Sequence, residues 1–134
     1  MTEYSIEQKI LQLSQDLLDA IDQGNWERYS QLCASSLSAF EPEAVGTMVE
    51  GLSFHKTYFS SPVTPKQQHS TICSPHIRHL GETIVVSYIR LIQILSETGQ
   101  HISTAFEETR IWHRISGKWI HVHFHRSRSG QHNL

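Results

Sequence analysis

Residues 83–95, TIVVSYIRLIQIL, decide the fold class of this protein. Apolar and β-branched side chains dominate the stretch, and such residues are enriched in strands. Successive side chains of a strand point to opposite faces. One face of this stretch therefore contains Ile84, Val86, Tyr88, Arg90, Ile92 and Ile94. This pattern predicts a long strand with one buried face.

Three further stretches have the composition of strands: STICSPHIRHLG at 70–81, ISTAFEETRIWHRI at 102–115 and KWIHVHFHRS at 118–127. Turn-forming glycines stand between the stretches, at Gly81, Gly99 and Gly117. Pro75 has no backbone N–H, so it predicts a bulge or an edge position for the first of them. The four stretches together predict a meander of long antiparallel strands.

The sequence pattern in the first third of the chain predicts helices. Apolar residues are spaced by three or four over residues 3–23, which places one helical face at Ile6, Ile10, Leu13, Leu17 and Ile21. Gly24 is a typical helix end. A second, shorter helix is expected from Asn25 as N-cap, with Trp26, Tyr29 and Cys33 turned inward. Helices followed by strands predict an α+β fold, with the long helix packed on a strongly curved antiparallel sheet around a cone-shaped cavity.

The segment between these regions is less regular. A short strand is expected at Leu37–Phe40, stopped by Pro42. A short helix is expected within residues 48–61, and its shared face contains Leu52, His55, Tyr58 and Phe59. We predict a loop at residues 61–68. No repeat or linker divides residues 1–134, so we expect a single domain.

The composition of the chain limits the classes of partner and the cellular locations that we expect. The chain has 134 residues, with 11 Lys and Arg against 13 Asp and Glu, so the formal net charge is −2. This balance argues against a nucleic-acid partner. No signal peptide or membrane span is predicted, and Cys33 and Cys73 are expected to be reduced thiols. We therefore expect a cytoplasmic location.

Three histidines alternate near the C-terminus, at His121, His123 and His125. Strand periodicity places them on one face with Trp119, and places the other side chains of the stretch on the core or cavity face, namely Ile120, Val122, Phe124 and Arg126. Histidines two apart on a strand can bind zinc, but no Cys, Asp or Glu stands beside them in this strand. We interpret the face as polar or interfacial, and we predict no metal and no cofactor.

Arginines interrupt apolar rows in three of the predicted strands, at Arg90, Arg110 and Arg126. A buried arginine is costly unless it is paired. Two interpretations stay open. Either the arginines pair with acids of the chain itself, such as Glu108 or Glu50, or they line a pocket for an anionic group, because guanidinium groups suit carboxylates.

Several motifs occur in an order that resembles one known family. They are SAFEPEAVG at 38–46, VEGLSFHKTYF at 49–59, SYIRL at 87–91, EETRIWHR at 107–114 and GKWIHVHFHRSRSG at 117–130. The chain thus resembles, from about residue 5 to about 130, the association (hub) domain of calcium/calmodulin-dependent protein kinase II. The resemblance implies the nuclear-transport-factor-2-like cone, no catalytic residues, and self-association into a closed double-stacked ring, a dodecamer or larger.

The resemblance also implies a ligand site. Motif by motif, the family's pocket residues match His55, Arg90, Arg110 and Arg126, and the implied ligand is a carboxylate or an acidic peptide, including kinase regulatory segments. Calmodulin binding belongs to the family's kinases. Departures are Ile102 and Ile115 at positions of family arginines, and His121 at a position where the family has an apolar or neutral polar residue. No kinase motifs occur, and Met1 before the helix suggests a free-standing hub-like protein.

An enzyme of the isomerase or dehydratase type on the same cone is the alternative. His55, Tyr58 and Glu108 could serve as base and donors there. Neighbouring arginines would lower the pKa of a carboxyl base, which favours binding over proton transfer. We therefore expect a non-catalytic domain.

Overall fold

The computed structural model describes residues 5–60 and 67–130. The helical part contains α1 (Ile6–Gln23), α2 (Trp26–Leu32) and α3 (Ser53–Phe59), with a 3₁₀ turn at Pro42–Ala44. The strands are β1 (Cys33–Phe40), β2 (Val49–Glu50), β3 (Gln67–Leu80), β4 (Thr83–Leu95), β5 (His101–Ile115) and β6 (Lys118–Arg128). None of these helices has the length and apolar character needed to cross a bilayer. Most of the predicted 61–68 loop, and the first residues of the predicted 3–23 helix, lie outside the described residues.

The six strands form one sheet in the order β2-β1-β6-β5-β4-β3. Strands β3 to β6 make the predicted antiparallel meander. Strand β1, however, runs parallel to β6, so the sheet is mixed and the prediction of a wholly antiparallel sheet is wrong at this pair. Turns set the pairing inside the meander, whereas β1 meets β6 only after the whole chain has folded back. The α+β fold class is confirmed.

Helix α1 has clear signals at both ends. Its N-cap, Ser5, accepts a hydrogen bond from the Gln8 backbone N–H, and the Gln8 side chain accepts one from the Ser5 N–H, which is a capping box. Gly24 ends the helix at φ 67°, a conformation that glycine adopts without strain. The buried face packs on β3. Trp112 Nε1 donates to Ser14 Oγ over 3.1 Å and ties α1 to β5.

Helix α3 is shorter than predicted. Val49 and Glu50 pair with β1 instead of joining the helix. His55 is buried, but Tyr58 is 49% exposed, so the predicted shared face is wrong for Tyr58. Tyr58 lies about 120° around the helix axis from Leu52, too far to share one stripe.

The core lies between the helices and one face of the sheet, called here the inner face. The predicted rows are confirmed: Ile84, Val86, Tyr88, Arg90 and Ile92 are buried in β4, and Phe106, Glu108, Arg110 and Trp112 are buried in β5. The prediction at Pro75 is confirmed as well, since β3 is an edge strand and its register shifts between Cys73 and His76. Both cysteines are free thiols.

Strand β6 contains a bulge that the sequence pattern did not predict. Ile111 pairs with His123, but the next residue, Trp112, pairs with His121, so Val122 is an extra residue. The bulge reverses the alternation. Trp119 and His121 therefore lie in the core, together with Phe124 and, partly buried, Arg126, which corrects the predicted faces of this strand.

Candidate functional site

Glu108 is the centre of the inner face and meets all three predicted arginines. Its Oε1 lies 3.0 Å from Arg110 Nη2, and its Oε2 lies 3.3 Å from Arg90 Nη1 and 3.7 Å from Arg126 Nε. The side chain of Glu108 is fully buried. Strands β4, β5 and β6 each contribute one arginine because the pleat turns these positions to the same face.

Tyr88 and Asp22 complete the arginine contacts on the β4 side. The Tyr88 hydroxyl donates to Glu108 Oε1 over 2.8 Å and accepts from Arg110 Nε over 2.9 Å. Arg90 Nη2 donates to Asp22 Oδ1 over 3.1 Å, and Arg90 Nε donates to a serine hydroxyl of β3. Arg90 is thus held between acids from α1 and β5.

Arg126 and His55 meet at the acids on either side of Pro42. Arg126 donates to both carboxylate oxygens of Glu43, over 2.6 and 3.0 Å, and lies 3.5 Å from Glu41 Oε2. His55 Nε2 lies 3.1 Å from Glu41 Oε1. The AFEPEA motif therefore supplies both acids, and the chain bends at Pro42 so that both reach the rim of the cone.

All four predicted site residues belong to this one network. The three arginines pair with acids of the chain itself, and the pocket for an anionic group stays a prediction. Glu108 is a partner as predicted, but Glu50 is exposed in β2 and makes no ion pair among the described residues. Sequence reasoning missed Asp22, Glu41 and Glu43. The two acids beside Pro42 stood in a quoted motif, whereas nothing in α1 distinguished Asp22 from its exposed acids.

The network sets the charge of Glu108. Burial raises the pKa of this carboxyl, but the Coulombic attraction of Arg110 and Arg90 outweighs burial and leaves the pKa below its ordinary value. A general base needs a raised pKa to work near neutrality. Tyr58, the other residue considered for catalysis beside His55, is half-exposed. The geometry therefore gives no support to the isomerase or dehydratase alternative.

Three buried nitrogen atoms around Phe124 have no hydrogen-bond partner among the described residues. They are Arg110 Nη1, His55 Nδ1 and His121 Nε2. The Arg110 guanidinium carbon lies 4.4 Å from the centre of the Phe124 ring, and the rings of His55 and His121 lie 5.5 and 5.7 Å from it. An arginine N–H is a donor, and a neutral histidine donates from one ring nitrogen. Arg110 Nη1 is thus a buried charged donor that meets no acceptor among the described residues.

His121 is the residue of this group that sequence reasoning assigned to the wrong face. It is fully buried, and its Nδ1 lies 3.4 Å from Cys33 Sγ. Burial lowers the pKa of His121 well below its ordinary value, and the positive charge of Arg110 lowers it further. The imidazole is thus neutral near pH 7.

His123 and His125 stand on the opposite, outer face of the sheet. His123 Nε2 lies 3.1 Å from His125 Nδ1, and Ser38 Oγ lies 2.7 Å from His123 Nδ1. In residues 5–60 and 67–130, no three His, Cys, Asp or Glu side chains are grouped so that they could share a metal ion.

The chain is similar in sequence to known proteins of one family. The family described as calcium/calmodulin dependent protein kinase II association domain matches residues 6–130. The delta subunit of calcium/calmodulin-dependent protein kinase type II from Oryctolagus cuniculus is 42% identical over 125 residues, which is 91% of this chain but 24% of that subunit. The chain thus spans about a quarter of the length of this curated relative.

Solved structures agree with the fold. A hub homology domain of this kinase from Chlamydomonas reinhardtii is 47% identical, with a TM-score of 0.87 and coverage of 92% of this chain and 98% of that chain. A nuclear transport factor 2-like superfamily protein from Salmonella enterica is 20% identical, with a TM-score of 0.76 and coverage of 96% and 94%. The second comparison supports the predicted nuclear-transport-factor-2-like cone alone.

Proposed function

Because this chain belongs to the calcium/calmodulin-dependent protein kinase II association-domain family, we propose that it is a non-catalytic oligomerisation hub. Its partner is itself, in a closed ring of two stacked layers. The chain either scaffolds kinase holoenzymes through this ring or acts as a free-standing homologue of that scaffold. Family membership over nearly the whole described chain supports this proposal.

The outer face of the sheet is the observation that carries the assembly proposal. Val85, Ile89, Leu91 and Ile111 lie on this face, outside the core cluster, and remain partly exposed. The described helices pack on the inner face, so they leave these apolar side chains to solvent or to another subunit. Apolar rows on an uncovered sheet face are typical of a subunit interface.

A double ring needs two kinds of contact. One is a heterologous contact, in which two different surfaces meet and the rotation closes. The other is an isologous contact, in which the same surface of two subunits meets and stacks the layers. We assign the outer face to the isologous contact because it presents a broad, continuous surface on β4, β5 and β6.

Native mass spectrometry of the purified chain at micromolar concentration tests the hub. We expect large, even-numbered oligomers, and Ile111→Asp should shift them to half-size or smaller species because it buries a carboxylate in the interface. Val45→Asp is the matched control, since Val45 is 87% exposed in a loop and should leave the masses unchanged. A wild-type chain that is a monomer or a simple dimer would overturn the proposal.

We further propose that the nitrogen group around Phe124 binds a carboxylate or the acidic side chains of a docking peptide. Arg110 is the anchor because its Nη1 is buried and unpartnered while its other nitrogens are held by Glu108 and Tyr88. The arrangement leaves one fixed, charged donor for the ligand.

Arg110→Ala separates binding from assembly. We expect it to abolish binding of propanoate and of an acidic peptide, measured by calorimetry, while native mass spectrometry still detects the ring. Arg114→Ala is the control, because Arg114 pairs with Glu82 at the surface and should leave binding unchanged. Equal propanoate affinity in the wild type and Arg110→Ala would refute the pocket and leave the hub proposal standing.

A further inference from the structure

A cavity that none of the four predicted site residues lines opens at the far end of the sheet. It measures about 700 Å³ and lies where the end of α1 meets the first residues of β3 and β5 and the last residues of β4. Glutamine and histidine side chains form much of its wall. Ile94, Leu95 and Ile102 add an apolar patch.

Asp22 is the buried polar residue of this wall. Its side chain is 3% exposed. Its Oδ1 accepts from Gln68 Nε2 over 2.6 Å and from Arg90 Nη2 over 3.1 Å, but its Oδ2 is buried and has no partner among the described residues. A buried carboxylate oxygen without a donor is costly. The described part of the chain therefore supplies no hydrogen-bond donor to Asp22 Oδ2.

The surrounding charges favour a cation as that donor. Among residues 5–60 and 67–130, no Lys or Arg lines the cavity. The last turn of α1, to which Asp22 belongs, contains no basic residue, and the C-terminal end of a helix carries partial negative charge. Arg90, which pairs with Asp22 over 3.1 Å, is shared with Glu108 at 3.3 Å. A ligand carboxylate would meet the unpartnered Asp22 oxygen and be repelled.

We infer that this cavity binds a primary alkylammonium. The ammonium donates to Asp22 Oδ2, and the amide oxygen of Gln68, whose Nε2 donates to Asp22 Oδ1, accepts another of its protons. The alkyl chain packs on Ile94 and Ile102, which pair with each other on the same face of the sheet. The site differs from the proposed carboxylate pocket in its residues and in the charge of its ligand, and it does not depend on ring assembly.

Titration calorimetry with n-hexylamine as the probe tests this inference, with hexan-1-ol and hexanoate as matched compounds. We expect the wild type to bind hexylamine and neither of the other two. Asp22→Asn should weaken hexylamine binding by about tenfold or more, because a charge-assisted hydrogen bond is lost. Asp19→Asn, one turn earlier in α1, should leave the affinity unchanged.

A second variant covers the case in which Asp22→Asn disturbs Arg90 and the fold. Ile102→Lys leaves both residues in place and adds an ammonium of its own to the wall of the cavity, where Ile102 is 44% exposed. It should also weaken hexylamine binding by about tenfold or more. A wild type that does not bind hexylamine, or binds hexan-1-ol equally well, would overturn the inference, as would Asp22→Asn and Ile102→Lys variants that keep full affinity.

Discussion

At Glu108, one buried carboxylate accepts hydrogen bonds from Arg90, Arg110 and the Tyr88 hydroxyl. Two cations and a phenol thus share this one acid in the middle of the inner face. Removing one partner of a buried ion pair is more costly than the pair itself is stabilising, because the remaining charge stays buried. The residue is therefore a structural requirement of the cone.

Glu108→Gln should lower the free energy of unfolding by about 3–5 kcal/mol, since it leaves two buried guanidinium groups without their shared charge. Urea unfolding followed by tryptophan fluorescence measures the loss. Glu107→Gln is the control, because the neighbouring side chain is exposed on the outer face and should change stability little. Equal midpoints for the two variants would contradict this role of Glu108.

The same carboxyl gives the protein a predictable acid sensitivity. The pKa of Glu108 in the folded state lies below its ordinary value because Arg110 and Arg90 outweigh the effect of burial. Its contribution to stability is complete above the unfolded pKa of about 4.3 and is lost as the pH falls through the lower, folded value. We therefore expect wild-type stability to fall below about pH 4 more steeply than that of Glu108→Gln.

At the scale of the element, the bulge in β6 decides which histidines are buried. Without the extra residue at Val122, His121 would share the outer face with His123 and His125, as strict alternation predicts. With it, His121 packs between Trp112 and Phe124, whose ring centres lie 5.3 and 5.7 Å away. One inserted residue thus converts a surface imidazole into a core one.

His121→Leu should flatten the dependence of stability on pH between 7 and 5. The folded-state pKa of His121 is well below 6.5 because of burial and Arg110, so only the unfolded chain gains a proton in this range. Wild-type stability then falls by up to about 1.4 kcal/mol for each pH unit below about 6.5. Urea unfolding at several pH values measures the slope.

The control for this slope is His101→Leu, whose side chain is exposed at the start of β5. It should keep the wild-type slope. If His121→Leu kept that slope as well, the imidazole could not be the buried neutral group that the bulge implies.

At the scale of the whole molecule, the outer face is where self-assembly would respond to pH. The predicted interface contained four residues, but Trp119 and His121 are in the core, which leaves His123 and His125. Partial burial and the neighbouring His125 lower the pKa of His123. Two imidazoles 3.1 Å apart repel each other when both are protonated.

Acidification from pH 8 to pH 5 should therefore weaken the proposed ring. Native mass spectrometry or light scattering across this range measures the change in mass. A double variant, His123→Gln with His125→Gln, should keep its oligomeric mass at the lower pH. Wild-type rings of unchanged mass from pH 8 to pH 5 would contradict this prediction.

The sequence by itself determined the helix order, the strands of the meander, the inward rows of β4 and β5, and a family resemblance that the comparisons confirm. These follow from local periodicity and from motifs, which are properties of neighbouring residues. It also brought His55, Arg90, Arg110 and Arg126 together as one candidate site.

Only the tertiary structure decided the parallel pairing of β1 with β6, the bulge that buries His121, and the acids that hold the arginines. Each depends on groups far apart in the chain, such as Asp22 with Arg90 or Glu43 with Arg126. Alternation assigns a side chain to a face only while the register holds, and a partner across the fold has no local signal. The physical reason is that strand register and ion pairing are settled when distant segments pack, whereas periodicity is set within each segment.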